Sequence, residues 1–157
     1  MTTSPASSRR STALRRGDRR HELLLYARNA SDGRHEAARR LVEQALNGPT
    51  RIGLPWQSLT AFIRIATHPR VFPTPLTPGA AADQVEEWLA GPAAWTPVPG
   101  PGHAEILLGL VRDLRLTGPL VSDAHLAALA LEHGTGVWST DTDFARFPGL
   151  TWVDPLR

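Results

Sequence analysis

Cysteine is absent from the 157 residues, which excludes a disulfide framework, a zinc–thiolate centre and a thiol nucleophile. Any catalysis must come from carboxylates, histidines or hydroxyls. Lysine is absent too, so all 17 basic residues are arginine; this reads as a composition bias of the genome and points to no partner. No stretch approaches the roughly 20 consecutive apolar residues that cross a bilayer, and the N-terminus lacks the apolar centre of a secretory signal. A cytoplasmic protein with no membrane partner is expected. Neither common Gly-rich phosphate loop is present, which disfavours a nucleotide-binding α/β protein.

What is present suits one globular domain: 41% apolar and 20% charged residues. The formal charge of +2 is unevenly spread. Residues 1–20 carry six arginines (9, 10, 15, 16, 19 and 20) against Asp18, while the remainder is mildly acidic. The Ser/Thr/Arg-rich leader 1–20 cannot bury enough surface to offset its ordering entropy. It is expected to be disordered, leaving 21–157 as the folded domain.

Leu23–Ala27 is a short apolar run that periodicity cannot assign to strand or helix. Ser31 or Asp32 is placed to cap a helix over Arg34–Leu46, with Ala38, Leu41, Val42 and Ala45 in one stripe. Arg51–Leu54 reads as a strand, and Pro55 opens a helix with Leu59, Phe62, Ile63 and Ala66 on one side. Thr77-Pro78 signals the start of a helix ending at Leu89. Trp95–Val98 reads as an edge strand, since Pro97 lacks the N–H a central strand needs. A helix over Ala104–Leu114 carries Ile106, Leu107, Leu110, Val111 and Leu114 at helical spacing. Ser122 is placed to cap a helix Asp123–His133, and Val137–Thr140 and Thr151–Val153 read as strands. Helices alternating with short strands predict an α/β fold on a mainly parallel sheet.

Two segments bear chemistry, Val121–Ala130 and Val137–Phe144. Asp123 falls on the helix face that carries Leu126, Ala127 and Ala130, so its carboxylate overhangs the buried side and needs a compensating charge. A helix dipole or a divalent cation could supply it; a plain helix-terminal role is the alternative. Asp141 and Asp143 follow a strand end, where open α/β sheets place ligands. Converging carboxylates repel unless a cation lies between them, and Mg²⁺ or Mn²⁺ matches hard oxygen donors. Turns favour Asp for unrelated reasons as well.

Together these segments resemble the C-terminal half of a PIN-domain ribonuclease of the VapC toxin type. The resemblance extends to Leu24–Ala30, Arg34–Arg40, the Leu54-Pro55-Trp56 corner, Phe62–Phe72 and Asp143–Leu150, covering roughly 23–155. It implies a three-layer α/β/α fold and a Mg²⁺-dependent endoribonuclease, with Mn²⁺ as substitute. The implied metal carboxylates are Asp123 and Asp141, with Asp143 beside them in the catalytic site. It also implies an RNA substrate, a cognate VapB-like antitoxin and a homodimer. Ser139 or Thr140 could hold a carboxylate by a hydroxyl bond, or merely bond to backbone.

Two departures stand against that pattern. The family's first strand ends in Asp, whereas Arg20 and its neighbours stand here, after the poor strand sequence Ser11–Arg19. The first strand is therefore expected to be missing or replaced. Arg19-Arg20-His21 can be encoded by CGT CGA CAC, which reads Val-Asp-Thr one base later, so a frame artefact is one explanation. A degenerate module that binds an antitoxin-like partner without cleaving RNA is the other. Ala61 also stands near a position where many members carry Glu, leaving Glu105 or Glu43 as acids that could approach the pocket. His125 is read as a surface histidine, and His35, His68, His103 and His133 as scattered. The tryptophans 56, 88, 95, 138 and 152 are read as core, and Arg64, Arg70 and Arg146 as solvated surface.

Overall fold

The computed structural model describes residues 22–157; the leader and the site of the expected first strand lie outside the described residues. The order is α1 (Glu22–Arg28), α2 (His35–Leu46), β1 (Ile52–Gly53), α3 (Trp56–Ala66), α4 (Pro78–Leu89), β2 (Ala94–Trp95), α5 (His103–Asp113), α6 (Pro119–Glu132) and β3 (Val137–Trp138). A 3₁₀ turn (Thr142–Arg146) and β4 (Trp152–Val153) follow. The ambiguous Leu23–Ala27 run is helical. All described strand pairing is parallel, β1 with β2 and β3 with β4, in keeping with the three-layer α/β/α architecture.

Helix starts follow local chemistry. The Thr77 hydroxyl accepts from the Ala80 N–H at 3.1 Å, and Pro78 takes the first turn, where its missing N–H costs nothing. For α2, neither Ser31 nor Asp32 is the cap. Asp32 instead accepts from the Arg34 backbone N–H at 2.9 Å and pairs with its guanidinium at 3.0 Å. That pairing holds the Asp32 carboxyl below its usual range.

Two apolar cores form among the described residues. One joins α1 to α4 around Leu59, Phe62 and Ile65, with the Phe62 and Trp88 rings edge to face at 4.7 Å. The other joins Ala124, Leu126 and Ala127 of α6 to Phe144 and Phe147. The stripe expected on α5 is only half-buried, and Leu108 is exposed, because among the described residues α5 packs chiefly on α6. The tryptophans divide: Trp88 is buried, whereas Trp56 and Trp138 are exposed, correcting their reading as core.

Glu132, at the end of α6, secures the loop before α5. Its Oε2 and Oε1 accept from the Gly100 and Gly102 N–H groups, each at 2.9 Å. These bonds, with His103 3.6 Å away, hold the carboxyl below its ordinary 4.5. A depressed carboxyl pKa contributes stability that is present above 4.5 and lost as pH falls through the folded value. Glu132→Gln is therefore expected to lower Tm at neutral pH, and the gap to the parent chain to close on acidification below 4.5; thermal unfolding across pH checks both.

Candidate acidic site

Helix α6 begins earlier than expected. Gly118 caps it at φ 56°, a left-handed conformation suited to glycine, and Pro119 is its first residue. Ser122 is thus inside the helix, and Asp123 lies beyond the first turn, where the dipole has faded. Its side is the buried one: Asp123 is 2% exposed. Charge burial of this kind is tolerated only with close compensation.

Around Asp123 the structure places a neighbour that sequence reading passed over. The Gln57 Nε2 in α3 donates to the Ser122 carbonyl at 3.1 Å, while its Oε1 is buried with no hydrogen-bond partner among the described residues. A neutral oxygen therefore stands in the helix that carries no acid.

Asp141 caps the 3₁₀ turn that leaves β3. Its Oδ1 accepts from the Asp143 N–H at 2.9 Å, and its own N–H donates to Ser139 Oγ at 3.0 Å. The Ser139 carbonyl accepts from the Trp152 indole N–H at 2.9 Å, so β4 fixes the strand end that presents Asp141, itself 9% exposed. Asp143 Oδ1 receives Arg146 Nη2 at 2.7 Å, so this carboxylate already has a cation, and Arg146 is not merely solvated.

Glu22 is a further buried carboxylate, 7% exposed. It accepts from the Thr140 hydroxyl, next to Asp141. Burial and this neighbouring carboxylate push the Tyr26 phenol well above its usual range, so Tyr26 stays protonated and donates as well. The Thr140 hydroxyl thus serves a carboxylate, and the Ser139 hydroxyl a backbone N–H.

Packing of α6 against β3 and the 3₁₀ turn brings together the elements that carry Asp123, Asp141 and Asp143. Among the described residues, however, no group of three or more His, Asp or Glu gathers in metal-ligand fashion. Glu43 pairs with Arg39 on the exposed side of α2 at 2.6 Å, and Glu105 is exposed on α5; neither joins the site. His103 is not isolated, and His125 is half-buried instead of standing on the open surface: Nε2 of the first and Nδ1 of the second share a hydrogen bond at 3.0 Å across α5 and α6.

This parallel α/β core with acids at the strand ends coincides with a family match: the PIN domain model covers residues 23–150. Ribonuclease VapC37 of Mycobacterium tuberculosis is 44% identical over 133 residues, 85% of this chain and 92% of the relative. Ribonuclease VapC33 of the same organism is 43% identical over 135 residues, 86% and 94%. Ribonuclease VapC48 is 32% identical over 136 residues, 86% and 94%. The chain belongs to the PIN-domain family, in its VapC branch.

Because Glu22 is buried and bonded while the Arg146–Asp143 pair is partly exposed, their partners should differ in weight. Thr140→Val is expected to destabilise by about 1–3 kcal/mol, and Arg146→Ala by less than about 1 kcal/mol. Urea unfolding of the two variants measures the difference.

Proposed function

We propose that this chain is a metal-dependent endoribonuclease toxin of the VapC type, hydrolysing RNA phosphodiesters in the cytoplasm and neutralised by a VapB-like antitoxin. The carrying observation is Asp123, 2% exposed on the face of α6 that packs against the strand end bearing Asp141. The relatives are named ribonucleases.

The donor set suits a hard cation: two carboxylates, and the buried Gln57 Oε1 beside the Asp123 segment. Mg²⁺, or Mn²⁺ in its place, would be held by Asp123 and Asp141 and would supply Lewis acidity toward a phosphodiester oxygen and acidify the attacking water. The chain's own contribution is placement. Packing in α6 fixes Asp123, and bonds to Ser139 Oγ and the Asp143 N–H fix the Asp141 segment. Asp143, paired to Arg146, adjusts the charge beside them. An antitoxin segment laying arginine over these acids would block RNA. The half-exposed α5 row with its exposed Leu108, together with the exposed Val121 in the first turn of α6, is the surface that suits the homodimer.

A second reading is a partner-binding module without cleavage. The absence of a three-ligand cluster among the described residues favours it.

In the first reading, Mn²⁺ or Mg²⁺ at 100 times its Kd raises stability by about 2.7 kcal/mol. Asp123→Asn abolishes both that gain and RNA cleavage, while the fold persists because like-charge repulsion is relieved. Thermal shift and a labelled-RNA cleavage assay, each with and without a chelator, separate the outcomes. Unfolding of Asp123→Asn assigns Asp123 a purely structural role; a folded parent chain deaf to metal and inert toward RNA supports the binding module.

A further inference from the structure

The first residue of α3 is an exposed tryptophan. Trp56 is 51% exposed, whereas tryptophans are highly buried on average. Among the described residues no ring and no cation stacks on its indole. The backbone beneath it is firm. Pro55 leads into the helix at φ −62°, its carbonyl accepts from the Ser58 and Leu59 N–H groups at 2.9 and 3.1 Å, and the Thr60 hydroxyl donates to the Trp56 carbonyl at 2.7 Å.

The next residue sets its place relative to the acids. Gln57 Nε2 donates to the Ser122 carbonyl, the peptide that leads into Asp123, so Trp56 is one residue from the contact that joins α3 to the acid-bearing turn of α6. Charge in this part of the chain has one sign: residues 56–82 include Arg64 and Arg70 and no acid. Thr60 and Arg64 follow Trp56 at helical spacing on the exposed side of α3. An open π-face in a segment without negative charge suits a polyanion that carries flat rings, and it does not suit an arginine-bearing peptide.

We propose that Trp56 is a stacking platform for one nucleobase of single-stranded RNA, next to the phosphodiester that is cut. This role rests on the nuclease reading and adds the substrate class to it, unpaired RNA. Bases in a duplex are stacked on one another, whereas an unpaired base is free to lay its face on the indole. Every base has such a face, so the platform selects single strands before it selects sequence.

The test compares the full chain with its Trp56→Ala, Trp56→Leu and Trp56→Phe variants in cleaving a labelled random-sequence pool of single-stranded RNA and a duplex of the same length, with Mn²⁺ present. On single strands, KM is expected to rise about tenfold in Trp56→Ala and Trp56→Leu and to return near the parent value in Trp56→Phe. The kcat and the Mn²⁺-induced rise in Tm stay unchanged, and on the duplex the variants match the parent chain. An unchanged KM, or a Trp56→Leu chain equal to Trp56→Phe, overturns the stacking role, leaves the indole to a protein partner and leaves the nuclease reading intact. A fall in kcat or in the Mn²⁺ response at unchanged KM also overturns it, and makes Trp56 a support for Gln57. A parent chain that cleaves no RNA overturns this role together with the nuclease reading.

Discussion

The burial of a carboxylate on the packed face of α6 sets the terms for the rest of the molecule. Asp123 is nearly inaccessible among alanines and leucines that meet Phe144 and Phe147. Small side chains let the helix approach the strand-end segment closely, which excludes water and strengthens every electrostatic interaction nearby. An isolated charge there is unfavourable, so the surrounding chemistry has to answer it. The same packing anchors the segment that presents Asp141, and Trp152 locks it from β4. Structure and chemistry therefore share one contact, and a cation between the acids would turn an electrostatic liability into a site.

The other acids are compensated in different ways. Glu22 is surrounded by hydroxyls, Asp143 by Arg146, and Glu132 by two glycine N–H groups. Each of these carboxylates is held by a partner of its own. In the proposed function Asp123 and Asp141 are the acids that would hold a divalent ion, with the buried Gln57 Oε1 as a neutral oxygen beside the Asp123 segment.

Much of this architecture was legible in order but not in detail. Helices α2, α4 and α5 declare themselves by apolar spacing, and Thr77-Pro78 marks a start to the residue. The start of α6 was misplaced because Ser122 is a good cap in isolation, while Gly118-Pro119 turns the chain earlier. Strands of two residues carry almost no periodic signal. Trp56 and Trp138 show why type alone misleads: burial depends on what lies opposite. The pairs Glu22–Thr140, Gln57–Ser122 and His103–His125 lie 118, 65 and 22 positions apart, and no local pattern announces them. Family resemblance named Asp123 and Asp141, and the buried face of α6 gives the first of these a physical reason.

Crystals of the chain grown with Mn²⁺ and measured at the manganese absorption edge address the shared cation most directly. The account predicts one anomalous peak within coordination distance, about 2.0–2.3 Å, of carboxylate oxygens from both Asp123 and Asp141. A fully ordered site with no peak between them, or with manganese on one of the two alone, would contradict it.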